Sequence, residues 1–204
     1  MSSPTTLILA SASLSRRELL SHAGLSFDVE VSGIDETEVT RSLLGEHAAP
    51  QEIAEKLAEL KALRVSGRHP TAMVVGGDST LACNGRLFDK PPTLEAARKQ
   101  LLALRGQTHE LFSSVVVARS GERLWHWNER ARLTMRPFTE AFLDAYLARA
   151  GNTVLTSVGA YRLEGLGAHL FTRVDGDYFT ILGLPLLPLL SFLAGHGIGL
   201  EQAA

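Results

Sequence analysis

The stretch LILASASLSRRELL, residues 7–20, joins a short apolar run to a hydroxyl-rich turn and then to a helical pattern that opens with two arginines. The run TTLILA predicts a buried strand, and SRRELLSHAG predicts a helix that buries Leu19 and Leu20 and stops at Gly24. Strand, turn and helix in succession are typical of α/β proteins. The stretch therefore predicts an α/β fold, and its serines and arginines mark a candidate anion site.

The composition and net charge of the chain indicate which class of protein it belongs to. The chain has 204 residues, 45% of them hydrophobic, and a formal net charge of −2. These values predict an ordinary globular protein with a sizeable core, and they argue against a disordered or nucleic-acid-coating chain. Its one cysteine, Cys83, excludes an intrachain disulfide and favours a reducing, cytoplasmic location. The favoured interpretation of Cys83 is a residue packed in the core, and the alternative is a reactive thiol.

No segment of the sequence predicts targeting or membrane insertion. The N-terminus has no positive charge before its short apolar run, so we expect no signal peptide. The most apolar stretch, ILGLPLLPLLSFLAGHGI, contains Pro185 and Pro188 and predicts a buried terminal helix rather than an anchor.

Four more helices follow from their start and stop signals. Pro50 opens an amphipathic helix, PQEIAEKLAELKALRVS, that ends at Gly67. Thr93 and Thr139 are predicted to cap LEAARKQLLALRG and EAFLDAYLARAG, and the last helix starts at Pro185.

Strands fill most of the remaining chain. SFDVEVSG alternates Phe27, Val29 and Val31 and predicts a half-buried strand, while TAMVVGGD predicts a buried strand that finishes at Asp78. Hairpin turns are predicted at residues 84–85, 120–121 and 175–176, the last joining strands AHLFTRV and DYFTILGL. Because hairpins interleave with helices, we expect a mixed sheet in one α/β domain, residues 1–204, with room for two lobes.

Polar residues gather where the predicted strands end, which is where α/β proteins place ligands. The candidates are Ser11, Ser13, Ser15, Arg16 and Arg17 after the first strand, then Asp35, Glu36, Lys61, Asp78 and Lys90. Hydroxyls, helix-start amides and cations suit a phosphate group, and the carboxylates suit Mg²⁺ or Mn²⁺. Simpler interpretations stay open: the serines cap a helix, the carboxylates are solvated turn residues, and the lysines lie on the surface.

A resemblance to a known family adds to this reading. The segments LILASASLSRRELL, GIDE, LAELKA, VVGGDSTL, FDKPPTLEAARKQLLALRGQTHEL, VGAYRLEGLGAHL and DGDYFTILGLPLLPLL resemble the successive motifs of Maf nucleoside triphosphate pyrophosphatases. They follow the family order over nearly the whole chain, and the combination is far more specific than any one piece.

The resemblance implies an enzyme that hydrolyses a nucleoside triphosphate between its α and β phosphates with a divalent metal, Mg²⁺ or Mn²⁺. It implies a Maf/ITPase-like fold, an elongated mixed sheet flanked by helices with two lobes around a central cleft, in a family whose members are often homodimers. By the same resemblance Ser11, Ser13 and Arg16 form the phosphate loop, Glu36 and Asp78 hold the metal, Asp78 is the base, and Lys61 and Lys90 are the motif lysines.

The resemblance also points to residues that select the base. Leu14 and Ser15 stand where the family usually has proline and a specificity residue, and Ser79 stands where Thr or Gln is usual. By the resemblance, Glu164 matches the branch similar to 7-methyl-GTP hydrolases, whereas the branch similar to thymidine and uridine triphosphate hydrolases carries Gln there. A carboxylate offers only acceptors, which suits the donors of guanine. The simpler reading is that Glu164 pairs with Arg162 or solvent.

Two rival functions stay open at this stage. One is a nucleotide-binding regulator of septum formation with little turnover, which would not need a base such as Asp78. The other, a nucleic-acid-binding module, is disfavoured because no basic stripe with interleaved aromatic residues occurs. We expect neither nucleic acid nor membrane among the partners.

Overall fold

The structure is a computed structural model that describes residues 6–200. Its strands are β1 Leu7–Leu9, β2 Asp28–Val29, β3 Met73–Cys83, β4 Arg86–Phe88, β5 Thr108–Arg119, β6 Glu122–Met135 and β7 Phe171–Asp175. Its α-helices are α1 Leu14–His22, α2 Glu36–Gly45, α3 Pro50–Ser66, α4 Leu94–Leu104, α5 Glu140–Ala150, α6 Tyr178–Ile181 and α7 Leu186–Ala194. Short 3₁₀ segments cover Gly151–Thr156, Val158–Ala160 and Leu166–Leu170.

The strands form one mixed seven-stranded sheet, as predicted. The order is β2-β1-β3-β5-β6-β7, with β4 beside β3. β1 runs parallel to both β2 and β3, whereas β4 is antiparallel to β3 and β7 is antiparallel to β6. The α/β class and the mixed sheet flanked by helices are therefore confirmed.

The described chain divides into two compact units. The first contains residues up to Asp78, Ser113–Glu129 and the segment from Gly183 onward, and the second contains Ser79–Phe112 and Arg130–Leu182. The single domain over residues 1–204 stays a prediction, and residues 1–5 and 201–204 lie outside the described part.

In the first unit, helix α3 packs closely against the sheet. Ala58 and Ala62 of α3 form a buried cluster with Val116 and Ala118 of β5. A Cβ atom added at Gly76 of β3 would lie 2.8 Å from the Ala62 nitrogen, so only glycine permits this approach. The small residues at this contact therefore bring α3 unusually close to β3.

The second unit has its own core. Buried side chains from β4, α4, α5 and the 3₁₀ segments form one cluster that includes Phe88, Leu101, Leu143 and Tyr161. Cys83 belongs to this cluster, and burial raises the pKa of its thiol, as expected for a packed cysteine rather than a reactive one.

Most capping and turn predictions are confirmed. Thr93 Oγ1 accepts the Ala96 amide at 3.1 Å at the start of α4, and Thr139 caps α5 in the same way. Pro50 opens α3, and Pro185 precedes the first residue of α7. The hairpin turn at residues 120–121 has positive φ angles of 54° and 79°, as a tight two-residue turn requires.

Three predictions about strands are wrong. The half-buried strand over Phe27–Val31 shrinks to the two exposed residues of β2, so alternation there does not reflect a packed face. The strand DYFTILGL is instead helix α6, because the Asp177 carboxylate accepts the Thr180 amide at 2.7 Å and caps a helical turn. β3 does not finish at Asp78 but continues to Cys83, since it pairs with β4.

Candidate functional site

The turn between β1 and α1 is organised by two serines. The Ser13 hydroxyl accepts the Arg16 amide at 3.4 Å and is the N-cap of α1. The Ser11 hydroxyl accepts both the Ser13 amide at 3.3 Å and Arg16 Nη1 at 3.2 Å. The capping interpretation of Ser13 is thus correct, and the same bonds fix the loop that leads to Arg16.

Arg16 is a buried arginine, only 7% exposed. Its Nε donates to the Gly183 carbonyl at 2.7 Å, and a Cβ atom at Gly77 would lie 3.0 Å from that same Nε. Burial lowers the pKa of the guanidinium, and the negative charges of Asp78 and Glu36 partly offset this effect. Gly77 therefore makes the space in which Arg16 lies close to two carboxylates.

Lys61 joins those two carboxylates. Its Nζ lies 2.5 Å from Asp78 Oδ1 and 2.9 Å from Glu36 Oε1. Lys61 and Asp78 are 5% and 8% exposed, whereas the Glu36 side chain is 55% exposed. A single buried ammonium is thus shared by one buried and one solvated carboxylate.

Glu36 reaches Lys61 from the start of a helix that the sequence analysis did not predict. Asp35 is the N-cap of α2, and its Oδ1 accepts the Glu38 amide at 2.9 Å. Asp35 is therefore committed to capping, and Glu36 is the first helical residue rather than part of a loop. The spacing of Asp35 and Glu38 was the available signal for this helix start.

Two carboxylates of this site are the candidates for holding a metal ion. Within residues 6–200, no group of three or more His, Cys, Asp or Glu side chains could bind an ion. Glu36 and Asp78 could hold a divalent ion, which prefers hard oxygen donors, but in this structure both carboxylates bind the Lys61 ammonium.

Ser15 lies in the first unit, like Arg16 and Lys61. The remaining predicted site residues, Ser79, Lys90 and Glu164, lie in the second unit. Ser15 is half-buried in the first turn of α1. Ser79 follows Asp78 in β3 and is half-buried, and Lys90 is exposed between β4 and α4. Glu164 pairs with Arg162, with Nε 2.7 Å from Oε1, which is the simpler reading kept open above.

Two further residues support the site without having been predicted. Gly183 supplies the carbonyl that holds Arg16, from a backbone conformation with φ of 101° that glycine favours. Gly77 provides the space beneath the guanidinium. The double glycine of VVGGD was a visible signal for close approach, but its partner could not be read from the sequence.

Buried cations beside paired carboxylates supply the kinds of charge that enzymes acting on phosphorylated substrates use. In the described residues, no helix is both long enough and apolar enough to cross a membrane. The chain belongs to the Maf family, whose model, described as Maf-like protein, matches residues 6–196.

Similar proteins carry two kinds of name. A protein of Paramagnetospirillum magneticum, 55% identical over 93% of this chain and 98% of its own length, is named nucleoside triphosphate pyrophosphatase. One from Granulibacter bethesdensis with the same name is 52% identical over 93% of this chain and 96% of its own length. A Brucella abortus protein, 48% identical over 92% of this chain and 94% of its own length, is named 7-methyl-GTP pyrophosphatase.

Proposed function

We propose that this protein is a nucleoside triphosphate pyrophosphatase that hydrolyses its substrate to the monophosphate and pyrophosphate. The observation that carries the proposal is the buried ammonium of Lys61 bound by both Glu36 and Asp78, with Arg16 beside them. The names of similar proteins support the same reaction. A cytoplasmic setting, where nucleotides are abundant and disulfides rare, is part of this proposal.

The cations bind the triphosphate. Arg16 is held by Ser11 and Gly183 before the substrate arrives, so little of its conformational entropy remains to be lost on binding. Ser11 and Ser13 border the same loop, and α1 begins there with amides that favour an anion. Lys61 and Lys90 supply further positive charge for the phosphates and for the charge that develops in the transition state.

Glu36 and Asp78 are the residues that would hold a divalent ion, Mg²⁺ or Mn²⁺. When bound, such an ion neutralises phosphate charge and lowers the pKa of a coordinated water. Because both carboxylates already share Lys61, we expect the protein to bind the ion poorly until the triphosphate attracts the ammonium to its own oxygens.

Asp78 acts as the general base. Its carboxylate is buried and oriented by Lys61, and once the ammonium turns to the phosphates its oxygen can accept a proton from the attacking water. The water oxygen forms the new bond to phosphorus, the anhydride bond between the α and β phosphates breaks, and pyrophosphate leaves. Arg16 and Lys61 stabilise the negative charge of the departing group.

Guanine-type or modified purine triphosphates are the proposed preference over UTP and dTTP. Glu164 carries this proposal because a carboxylate can accept from both the N1–H and the amino group of guanine, whereas uracil offers one N3–H donor between two carbonyls that a carboxylate cannot pair with. Ser15 and Ser79 are the other proposed specificity positions. The relative named for 7-methyl-GTP supports this direction, whereas the more general names allow a broader range.

A pyrophosphate-release screen tests the function. Purified protein with Mg²⁺ or Mn²⁺ is assayed against natural, methylated and damaged nucleoside triphosphates, and we expect turnover with a higher kcat/KM for guanine-type substrates. Glu164→Gln should shift the kcat/KM ratio toward UTP and dTTP. Nucleotide binding without turnover across the whole panel would instead support the regulatory alternative.

A further inference from the structure

We propose that Arg162 is a positioning residue for base selection: it fixes the Glu164 carboxylate and cancels its charge so that the pair can face a nucleotide. This inference rests on the proposed function, in which Glu164 contacts the base. It assigns a role to Arg162, which neither the sequence motifs nor the phosphate site explains.

The contact is short and partly exposed to solvent. Arg162 Nε lies 2.7 Å from Glu164 Oε1, and the two side chains are 28% and 25% exposed. A charged hydrogen bond of this length restricts the torsions of a flexible glutamate. The carboxylate therefore has one preferred direction before any ligand binds.

The backbone that carries the pair is held firmly at the preceding residue. Tyr161 is buried, its hydroxyl lies 2.9 Å from His109 Nε2, and its ring packs edge-on against Phe171 at 4.8 Å between centroids. The Ser157 hydroxyl also donates to the Tyr161 carbonyl. Arg162 thus projects from a fixed point of the chain.

The far end of this loop is just as closely packed. A Cβ atom at Gly167 would lie 2.9 Å from the Arg162 nitrogen, so the chain returns directly against the residue that starts the loop. A loop fastened at Tyr161 and closed at Gly167 presents residues 162–166 as a preformed surface. Such preorganisation lowers the entropy lost when a ligand binds.

Electrostatics gives the pair a second purpose. A triphosphate carries several negative charges, and an isolated carboxylate close to it would oppose binding. Pairing with Arg162 brings the net charge of the two residues to zero while leaving an acceptor for the base. Without Arg162, we therefore expect Glu164 both to lose its direction and to repel the nucleotide.

The chain offers a matched control. Arg173 and Asp175 form a pair with the same spacing of two residues and the same 2.7 Å Nε-to-oxygen distance. Their side chains are 71% and 48% exposed, on strand β7. An arginine removed from this pair changes the net charge equally but leaves residues 162–166 intact.

The experiment measures kcat/KM for GTP, 7-methyl-GTP and UTP in the wild type and in Arg162→Met, Arg162→Lys, Glu164→Gln, the double variant Arg162→Met/Glu164→Gln, and Arg173→Met. We expect Arg162→Met to lower the guanine-to-uracil ratio by about 10-fold or more. Arg162→Lys should restore part of it, and Arg173→Met should leave it unchanged. In the Glu164→Gln background, Arg162→Met should have no further effect on the ratio.

The outcomes distinguish a failure of the role proposed for Arg162 from a failure of the proposed pyrophosphatase activity. If the wild type hydrolyses no triphosphate, the proposed function fails. If it does hydrolyse them but the wild-type guanine-to-uracil ratio is near one, the base preference proposed for Glu164 fails together with the role of Arg162. If the wild type shows the preference and Arg162→Met leaves the ratio unchanged, only the role of Arg162 is overturned. An equal loss for all three substrates, with the same effect in the Glu164→Gln background, would mark Arg162 as merely structural.

Discussion

Replacing Lys61 by methionine should destabilise the protein and at the same time create a metal site that no longer needs nucleotide. The buried Asp78 carboxylate would lose an ammonium at 2.5 Å, and removing one partner of a buried ion pair typically costs about 3–5 kcal/mol. Glu36 is largely solvated and should add no more than about 1 kcal/mol. Because the charge of Arg16 remains nearby, we expect the lower end, about 3 kcal/mol.

Thermal unfolding in the absence of nucleotide measures this change. For a chain of this size, about 3 kcal/mol corresponds to a fall in Tm of roughly 6–12 °C. Adding Mn²⁺ should then recover much of that loss in Lys61→Met, because about 2.7 kcal/mol is regained when the free ion exceeds Kd a hundredfold. The wild type should respond little to Mn²⁺.

Lys56→Met is the matched control, since Lys56 lies on the same helix and pairs at 2.9 Å with Glu59 at the surface. We expect it to lower the stability by less than about 1 kcal/mol and to gain no response to Mn²⁺. The reasoning is refuted if Lys61→Met unfolds at the wild-type temperature, or if Mn²⁺ stabilises the wild type as strongly as the variant.

Three other predictions concern the base, the metal and a buried histidine. Asp78→Asn should keep the fold, as circular dichroism would show, and should lower kcat by 10²–10⁴-fold, which corresponds to about 3–5 kcal/mol of activation free energy. The surface change Asp144→Asn is the control, and a variant Asp78→Asn that keeps more than a tenth of the rate would reject Asp78 as the base. A chelator should abolish turnover and Mg²⁺ or Mn²⁺ restore it, so full activity in metal-free protein would contradict the metal proposal. Burial lowers the pKa of His109 to about 4, below its usual 6.5. As pH falls, the unfolded chain therefore takes up the proton before the folded protein does, so the folded state is destabilised. Between pH 7 and pH 5, the free energy of unfolding measured with urea should fall by about 2 kcal/mol more in the wild type than in His109→Gln. Equal falls would show that His109 is not the group responsible.

Features set by neighbouring residues were predictable from the sequence. Thr93 and Thr139 cap their helices because the bond runs to an amide three residues on. The same local logic was available at Asp35 and Asp177, where it was not applied, and the helices α2 and α6 were missed. At both positions an aspartate whose side chain accepts the amide three residues on was the signal for a helix start.

The residues that lie together at the site were easier to predict than the way in which their charged groups pair. Ser11, Ser13 and Arg16 were found together because one turn carries all three. Lys61 follows Ile53 and Leu57 at helical spacing, a signal for the buried face of α3 that the sequence analysis did not use when it left a surface lysine open. That its ammonium joins two carboxylates depends on how closely α3 approaches β3, which the glycines permit but do not specify.

The central claim is the reaction, and a phosphorus NMR time course tests it most directly. Wild-type protein, Mg²⁺ and the best triphosphate of the screen should give nucleoside monophosphate and pyrophosphate in equal amounts from the first time point, and Asp78→Asn should give almost none. Formation of nucleoside diphosphate and inorganic phosphate, or no change in the triphosphate signals, would contradict the account.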